Sequence, residues 1–330
     1  MAYKNPEAGW RPTTSPQALQ QRAEMLARLR QYFADAGVLE VETPLLASGA
    51  VTDPNIQSFV TRPVEPGEQE HYLNTSPEFA MKRLLAAGSG PIYQVCKAFR
   101  RGEAGRLHNP EFTLLEWYRP GFDHHRLMQE VEALVCHLAE GLRSFEATQC
   151  LSYGDCFQTW LGIDPHVVAV EDLQACAREQ DLGEVPGLAS DDRDGWLDLL
   201  MSHCIQPHLG QGRLGFVTDY PASQAALARL LPENLALAAR FELFIDGVEV
   251  ANGFHELLDA DEQRARFQAD LARRARNGDA VVPMDEYLLA ALEAGLPDCA
   301  GVALGLDRLL MLVHGAKSLH QVQTFPWDRV

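Results

Sequence analysis

The stretch Phe99-Arg100-Arg101-Gly102-Glu103-Ala104-Gly105-Arg106-Leu107-His108-Asn109-Pro110-Glu111-Phe112-Thr113-Leu114-Leu115-Glu116-Trp117-Tyr118 governs how the rest of the chain is read. An apolar run from Pro91 leads into it, and a second, Phe112 to Tyr118, leads out. Two such runs joined by a polar, glycine-containing loop read as a long β-hairpin. Arg100 and Arg101 stand at the end of the first strand, and His108-Asn109 precede the re-entry into the second. Arginines so placed can hold a polyphosphate through charge-assisted hydrogen bonds, while Phe112 offers a face to a base. Taken alone, the same residues also suit a surface hairpin with a solvated loop.

Bulk properties narrow the choice. A chain of 330 residues with 46% hydrophobic content can bury a large core, in one large domain or two. No apolar run approaches the roughly 18–20 residues that span a bilayer, and Met1 to Glu7 lacks the apolar segment of a secretory signal. Seven dispersed cysteines without a C-x-x-C pair predict reduced thiols, a cytoplasmic protein and no zinc centre. A net charge of −18 repels a polyphosphate backbone, which argues against nucleic acid as a partner. Arg264, Arg266, Arg273, Arg274 and Arg276 share a helical stretch with Asp259, Asp261, Glu262 and Asp270, so that stretch reads as a solvated face.

Along the chain, Gln17 to Ala36 has helical periodicity and stops at Gly37; Val38 to Thr43 alternates as a strand and ends at Pro44. Val64 to Glu70 reads as a turn between two strands. Ser76-Pro77-Glu78 opens a helix reaching Gly88, with Ser76 as cap and Pro77 in the first turn. Leu127 to Leu142 is amphipathic. From about 150 to 215 the pattern weakens into short helices, which predicts an insertion without a catalytic signal. Phe216 to Pro221 restarts strand character, Arg240–Ile245 and Val248–Ala251 flank an Asp246-Gly247 turn, and a helix covers Asp261 to Asn277. Hairpins outnumber βαβ units, so the predicted fold class is α+β, an antiparallel sheet flanked by helices.

Two further segments carry chemistry. Glu242 and Glu249 lie on the strands around Asp246-Gly247, followed by Asn252 and Glu256. Strand carboxylates need partners if buried, and a Mg²⁺ shared with phosphates would supply one; two exposed edge glutamates are the alternative. Gly301-Val302-Ala303-Leu304-Gly305-Leu306-Asp307-Arg308 reads as a small-residue strand running into a helix. Its glycines permit close approach of a flat ligand and Arg308 offers a fork to phosphate, although a purely structural helix with a capping Asp also fits. No Gly-x-Gly-x-x-Gly or Gly-Lys-Ser/Thr loop is present, which disfavours Rossmann and P-loop sites.

Together, Gln17–Pro44, Phe99–Tyr118 and Gly301–Arg308 resemble the three ordered motifs of the class II aminoacyl-tRNA synthetase catalytic domain, and within that class the lysyl branch. Ala50-Val51-Thr52-Asp53, Leu115-Glu116-Trp117-Tyr118-Arg119-Pro120 and Glu249-Val250-Ala251-Asn252-Gly253-Phe254-His255-Glu256-Leu257 are similar to the freestanding paralogues that ligate (R)-β-lysine to a lysine of translation elongation factor P. The first motif begins within twenty residues of Met1, so a single catalytic domain over residues 1–330, with no anticodon-binding domain and no tRNA partner, is expected. The resemblance implies ATP as co-substrate, Mg²⁺, (R)-β-lysine or lysine as substrate, and a homodimer built on Gln17–Pro44.

It also implies roles for individual residues. Arg100 would neutralise the α-phosphate and the substrate carboxylate. Arg101, Gly102 and Glu103 lie in the nucleotide loop, His108 and Asn109 would contact the nucleotide, and Phe112 would stack on adenine. Arg308 would hold the γ-phosphate beside Gly305, and Glu242, with Leu243, and Glu249 would bind ATP, the two glutamates holding the metal. Ser76, Pro77, Glu78, Tyr118, Asn252, Glu256 and Ala303 would line the amino-acid site, with Glu78 on the amine nearest the carboxylate and Tyr118 and Glu256 on the distal ammonium. Two departures stand out. Ala251 and Ala303 occupy places where many lysyl enzymes have Gly, and Gly102 stands where synthetases have an acid, with Glu103 one residue away. A lysine-activating ligase with another acceptor, or an inactive regulatory paralogue, remains open at this point.

Overall fold

The computed structural model describes residues 10–63, 65, 67, 69–183, 185 and 187–330. Eleven strands are numbered in chain order: β1 Leu39–Glu40, β2 Leu46–Ala47, β3 Tyr72–Leu73, β4 Ile92–Phe99, β5 Glu111–Pro120, β6 Glu146–Ser152, β7 Arg213–Pro221, β8 Leu230–Leu231, β9 Asn234–Ile245, β10 Val248–His255 and β11 Cys299–Gly305. The main sheet runs β1-β4-β5-β11-β10-β9-β7-β6, with β8 beside β9. Its middle, β4 to β7, is antiparallel as predicted; its two ends, β1 on β4 and β6 on β7, are parallel. The sheet is therefore mixed. The parallel ends arise because β1 is joined to β4, and β6 to β7, through connections that contain helices, whereas the hairpins supply much of the antiparallel centre.

Side chains alternate across this sheet. One face carries Tyr93, Leu115, Trp117, Phe241, Leu243, Val302 and Leu304 and packs on helices Pro16–Asp35, His124–Ala139 and Leu306–Val313. Phe33 of the first helix stacks on Tyr93 at 4.3 Å and meets Trp117 edge-on at 5.5 Å, both geometries that suit aromatic quadrupoles. On the opposite face, the register Glu242↔Asn252↔Ala303↔Glu116↔Gln94 forms one row across five strands. A bulge between Glu249 and Ala251 shifts β10 by one residue, so that Glu249 opposite Phe244 and Asn252 opposite Glu242 project on the same side of the sheet. The Asp246-Gly247 turn has φ +48° and +73°, the left-handed pair that a two-residue hairpin requires.

Several local expectations change. The strand expected over Val38–Thr43 contracts to Leu39–Glu40. The helix after Ser76 begins at Glu78 with Pro77 as its cap residue, while Ser76 Oγ accepts from the Glu78 amide at 3.4 Å. The Val64–Glu70 turn lies partly outside the described residues. Helices Tyr153–Leu161, Val170–Glu179 and Arg193–Leu200 fill the expected insertion and bury Phe157, Leu173, Trp196 and Leu197 as a second cluster against Val217 and Phe244. The solvated reading of the arginine-rich helix, Ala260–Asn277, fails at Arg274, which is 1% exposed. Its guanidinium donates to the carbonyls of Thr52, Asp53 and Ile56 and to Gln57 Oε1, so carbonyl dipoles replace the carboxylate that a buried cation would otherwise need. All seven cysteines are unpaired. Among the described residues no helix is long and apolar enough to cross a membrane.

Asp307, 2% exposed, ties three elements together at the mouth of the sheet. It accepts from Arg22 at 2.6 Å, from the Thr113 amide at 2.8 Å and from Gln323 at 3.1 Å. Replacing it with Ala removes the carboxylate facing Arg22 and leaves the Thr113 amide buried without an acceptor, so Asp307→Ala is expected to lower unfolding free energy by about 2–4 kcal/mol. Urea denaturation measures this, and a loss under about 1 kcal/mol contradicts the assigned role.

Candidate functional site

The polar face of the sheet floors a cavity of about 1070 Å³. Its walls are the hairpin loop, the segment Gly49–Ser58, the N-terminal part of helix Glu78–Ala86, and residues of the inserted helices. Along β5, Phe112, Leu114 and Glu116 point into it from alternate positions. Phe112 and Glu116 are four residues apart, about 14 Å along an extended strand. The cavity therefore has two chemically distinct ends on one strand.

At the Phe112 end lie the two arginines. The Arg100 guanidinium sits 5.1 Å from the Phe112 ring centroid and 3.9 Å from Glu103 Oε1, and its Nε donates to the Thr75 carbonyl at 3.4 Å. Arg308 donates to the carbonyls of Leu107 and Glu249 at 3.1 and 2.8 Å and lies 2.7 Å from His108 Nε2. Burial and the Arg308 charge push the His108 imidazole below its ordinary pKa, so its Nε2 lone pair is available to accept from the guanidinium. Gly305 opens onto the cavity, with no atom nearer than 3.8 Å to the position of a Cβ. The bare backbone there leaves room for a flat ring between Arg308 and β11. Gly102 has φ +88°, a backbone conformation that an acidic residue adopts only with strain. The carboxylate facing Arg100 comes instead from Glu103, one residue on, which lines the cavity.

Between the ends lies the hairpin of β9 and β10. Glu242 accepts from Arg240 at 2.5 Å, and Asn252 Oδ1 from the same guanidinium at 3.3 Å. Burial raises the Glu242 carboxyl pKa, Arg240 opposes that rise, and the negative charge of Glu249 adds to it. Glu249 Oε2 is 3.7 Å from Arg308. Two neighbouring carboxylates that repel each other have the donor chemistry for a Mg²⁺ completed by phosphate and water. Among the described residues no group of three or more His, Cys, Asp and Glu side chains forms a closed metal cage.

At the far end the carboxylates gather round an internal cation. Lys82, 1% exposed, places Nζ 2.8 Å from Glu78 Oε1 and 2.6 Å from Glu256 Oε2. Burial alone would lower the Lys82 pKa, but Glu256 and Glu78 outweigh it and raise it, keeping the ammonium charged. Tyr118 donates to Glu116 Oε1 at 2.7 Å, leaving Glu116 Oε2 buried without a partner. Burial, then the charge on Glu78, raises the Glu116 pKa well above the ordinary carboxylate value, and burial takes Glu256 to about 7. Tyr118 crosses β11 at Gly301, where a Cβ would fall 2.2 Å from the ring. Only glycine lets that ring reach Glu116.

Most residues anticipated from sequence meet here: Arg100, Glu103, His108, Phe112, Ser76, Glu78, Glu242, Glu249, Asn252, Ala303, Gly305 and Arg308 all line the cavity, and Tyr118 and Glu256 close its floor. Others do not present side chains to it. Leu243 projects into the apolar core, the Arg101 side chain is exposed outside the lining, and Pro77 serves only as a helix cap. Asn109 lines the cavity but spends its amide on the chain itself, donating to the Glu111 carbonyl at 2.6 Å and accepting from the Trp327 amide at 2.9 Å. Sequence reasoning missed Lys82, Glu116 and Arg240 as site members. Alternation along β5 from Phe112 would have found Glu116, and the i,i+4 spacing from Glu78 would have found Lys82. The inserted segment, expected to carry no catalytic signal, contributes Tyr153, Asp194, Asp198 and Gln206 to the wall. Asp198, raised to about 7 by burial and opposed by Arg240, faces the same hairpin.

Comparison with known proteins agrees with this arrangement. Residues 2–329 match the family of class II tRNA synthetases for D, K and N. Curated relatives named elongation factor P–(R)-β-lysine ligase, from Klebsiella pneumoniae subsp. pneumoniae and Salmonella dublin, are each 48% identical over 325 residues, covering 98% of this chain and 98% of theirs. A protein of the same name from Salmonella enteritidis PT4 is equally similar. With the second and third motifs meeting at one cavity and the match spanning nearly the whole chain, this protein belongs to the class II tRNA synthetase family of the D, K and N group.

Proposed function

We propose that this protein uses ATP to activate (R)-β-lysine as its acyl-adenylate and then transfers the β-lysyl group to a lysine of translation elongation factor P. The observation that carries the reading is the two-ended cavity: an arginine–aromatic end about 14 Å along β5 from a floor of carboxylates. An adenylate of a diamino acid has that layout, a base and phosphate at one end and ammonium groups at the other. The names borne by relatives 48% identical over nearly the whole chain support the choice of acyl group and acceptor.

In this reading the site works by position and charge. ATP lies with its base between Phe112 and Arg308 over Gly305. The amino-acid carboxylate approaches the α-phosphorus beside Arg100, an oxygen–phosphorus bond forms, and pyrophosphate leaves with the electron pair of the broken bond. Glu242 and Glu249 would hold a Mg²⁺, which would supply positive charge to the phosphates. Arg240 holds Glu242 in place through its 2.5 Å contact and opposes the effect of burial on its charge. The ammonium groups are read by Glu78, Glu116, Glu256 and Tyr118, whose carboxylates leave an uncharged chain without a partner. The acceptor amine, once deprotonated, attacks the acyl carbon and AMP departs; no enzyme nucleophile is required. Residues 1–330 act in this reading as one catalytic domain, with the helical segment near 150–215 as an insertion. Leu19, Leu39, Leu45 and Leu46 are exposed on the first motif and its continuation, which supports a homodimer through that edge.

Incubation with ATP, (R)-β-lysine and purified elongation factor P is expected to add the mass of one β-lysyl group to the intact acceptor. Robust pyrophosphate exchange without acceptor modification would overturn the choice of acceptor, and modification of tRNA instead would redirect it. Ala303 lies in the row between Asn252 and Glu116, so its methyl narrows the space beside the substrate. One methyl in a tight pocket is worth about 1–3 kcal/mol. Ala303→Gly is accordingly expected to shift selectivity toward α-lysine by about 10- to 200-fold in pyrophosphate exchange; unchanged selectivity removes Ala303 from the specificity argument.

A further inference from the structure

The cluster at the floor of the cavity holds more charge than substrate reading alone requires. Glu78 and Lys82 come from one turn of a helix, Glu116 and Tyr118 from β5, and Glu256 from the residue after β10. The Glu116 and Glu256 side chains are 2% and 1% exposed, so neither has water to offset its charge. Glu116 Oε2 and Glu256 Oε1 are buried and make no hydrogen bond. These are acceptors waiting for donors. Other charged groups nearby are already matched: Arg229 pairs with Asp298 at 2.5 Å and donates to the Glu256 backbone carbonyl, and burial keeps the Cys299 thiol and the Tyr118 phenol protonated.

We propose that Lys82 is a specificity-determining residue: its buried ammonium offsets one of the three carboxylates Glu78, Glu116 and Glu256, and sets the site to accept a ligand bearing two ammonium groups. Three carboxylates against one ammonium leave two negative charges, the complement of a diamino acid whose carboxylate is turned toward Arg100. A ligand with one ammonium leaves a buried carboxylate uncompensated, which a low-dielectric site penalises heavily. Lys82 also prevents the opposite error. Without it the floor would carry three negative charges for two incoming cations, and one carboxylate would hold a proton.

Occupancy is then linked to protons. In the free protein burial and the neighbouring carboxylates disfavour the charged forms of both groups, pushing Glu256 up to about 7 and Glu116 well above the ordinary carboxylate value. Two ammonium groups reverse that balance and drive both carboxyls to ionise, so binding near neutrality releases protons. The sign follows directly. The bound protons must first be expelled, so affinity weakens as pH falls, by up to about tenfold per unit for each proton released. The proposal rests on the diamino-acid reading of the site but not on the identity of the acceptor.

The test is calorimetric titration of the whole protein with (R)-β-lysine, L-lysine, 1,5-diaminopentane and norleucine, in two buffers of different ionisation enthalpy between pH 6 and 8.5. Both diamino acids and the diamine are expected to bind with proton release, and norleucine at least 100-fold more weakly than L-lysine. Binding of the dications without proton release, or norleucine binding within tenfold of L-lysine, overturns the proposal. In pyrophosphate exchange, Lys82→Met is expected to move the pH dependence of the amino-acid KM at least one unit upward, because Glu256 and Glu116 lose their nearest cation. The KM for ATP is expected to stay unchanged. A uniform rise in both KM values, with no shift of the profile, would mark Lys82 as merely structural. Binding of (R)-β-lysine and L-lysine with proton release, but without activation of either, would instead overturn the proposed reaction and leave this inference standing.

Discussion

The register of the antiparallel strands β4, β5, β11, β10 and β9 is the constraint on which the other features depend. Side chains alternate with a period of two, so a slip of one residue anywhere in these strands would exchange the two faces. Trp117, Leu243 and Val302 would then enter the cavity, and Glu116 and Glu242 would enter the apolar core. The stacked aromatics of the core hold one face in place, and the carboxylates cannot go anywhere else at tolerable cost. Packing and desolvation thus enforce the same register from opposite sides. The bulge near Val250 is the single departure, and it brings Glu249 onto the same side as Glu242 and Asn252.

On that frame the charged groups fall into a graded series. Near Phe112 the arginines are partly exposed and make bonds to carbonyls that a phosphate can supplement or replace. In the middle Arg240 and Glu242 form a close pair with Asn252. At the floor Lys82 is wholly buried among acids. Burial deepens along β5 from Phe112 to Glu116. The electrostatic interactions strengthen in the same direction, since the dielectric falls. A site of this kind discriminates most strongly where the substrate's charges are farthest from solvent.

Part of this was legible in the residues. The hairpin at Phe99–Tyr118, the Asp246-Gly247 turn and the helix up to Asn277 follow from local signals, because turn chemistry and periodicity act over a few residues. The strand around Glu40 was overestimated, since its pairing partner is a single stretch of β4 and alternation alone does not measure how far a ladder extends. Arg274 was misread because its compensation comes from backbone carbonyls, which leave no mark in side-chain composition. The parallel ends of the sheet were likewise invisible, as they depend on how the chain crosses between edges rather than on any local pattern.

The sequence by itself determined the fold class, the three motifs and most of the charged and aromatic residue types that line the cavity. Those are properties of short segments whose meaning does not change with their surroundings. Only the tertiary structure decided which carboxylates face one another, that Glu103 rather than a residue at position 102 meets Arg100, and that Lys82 stands between Glu78 and Glu256. Charges separated by more than a hundred positions along the chain become neighbours through strand pairing and helix packing, and their interaction energy depends on distance and burial. Neither quantity is written in any one segment.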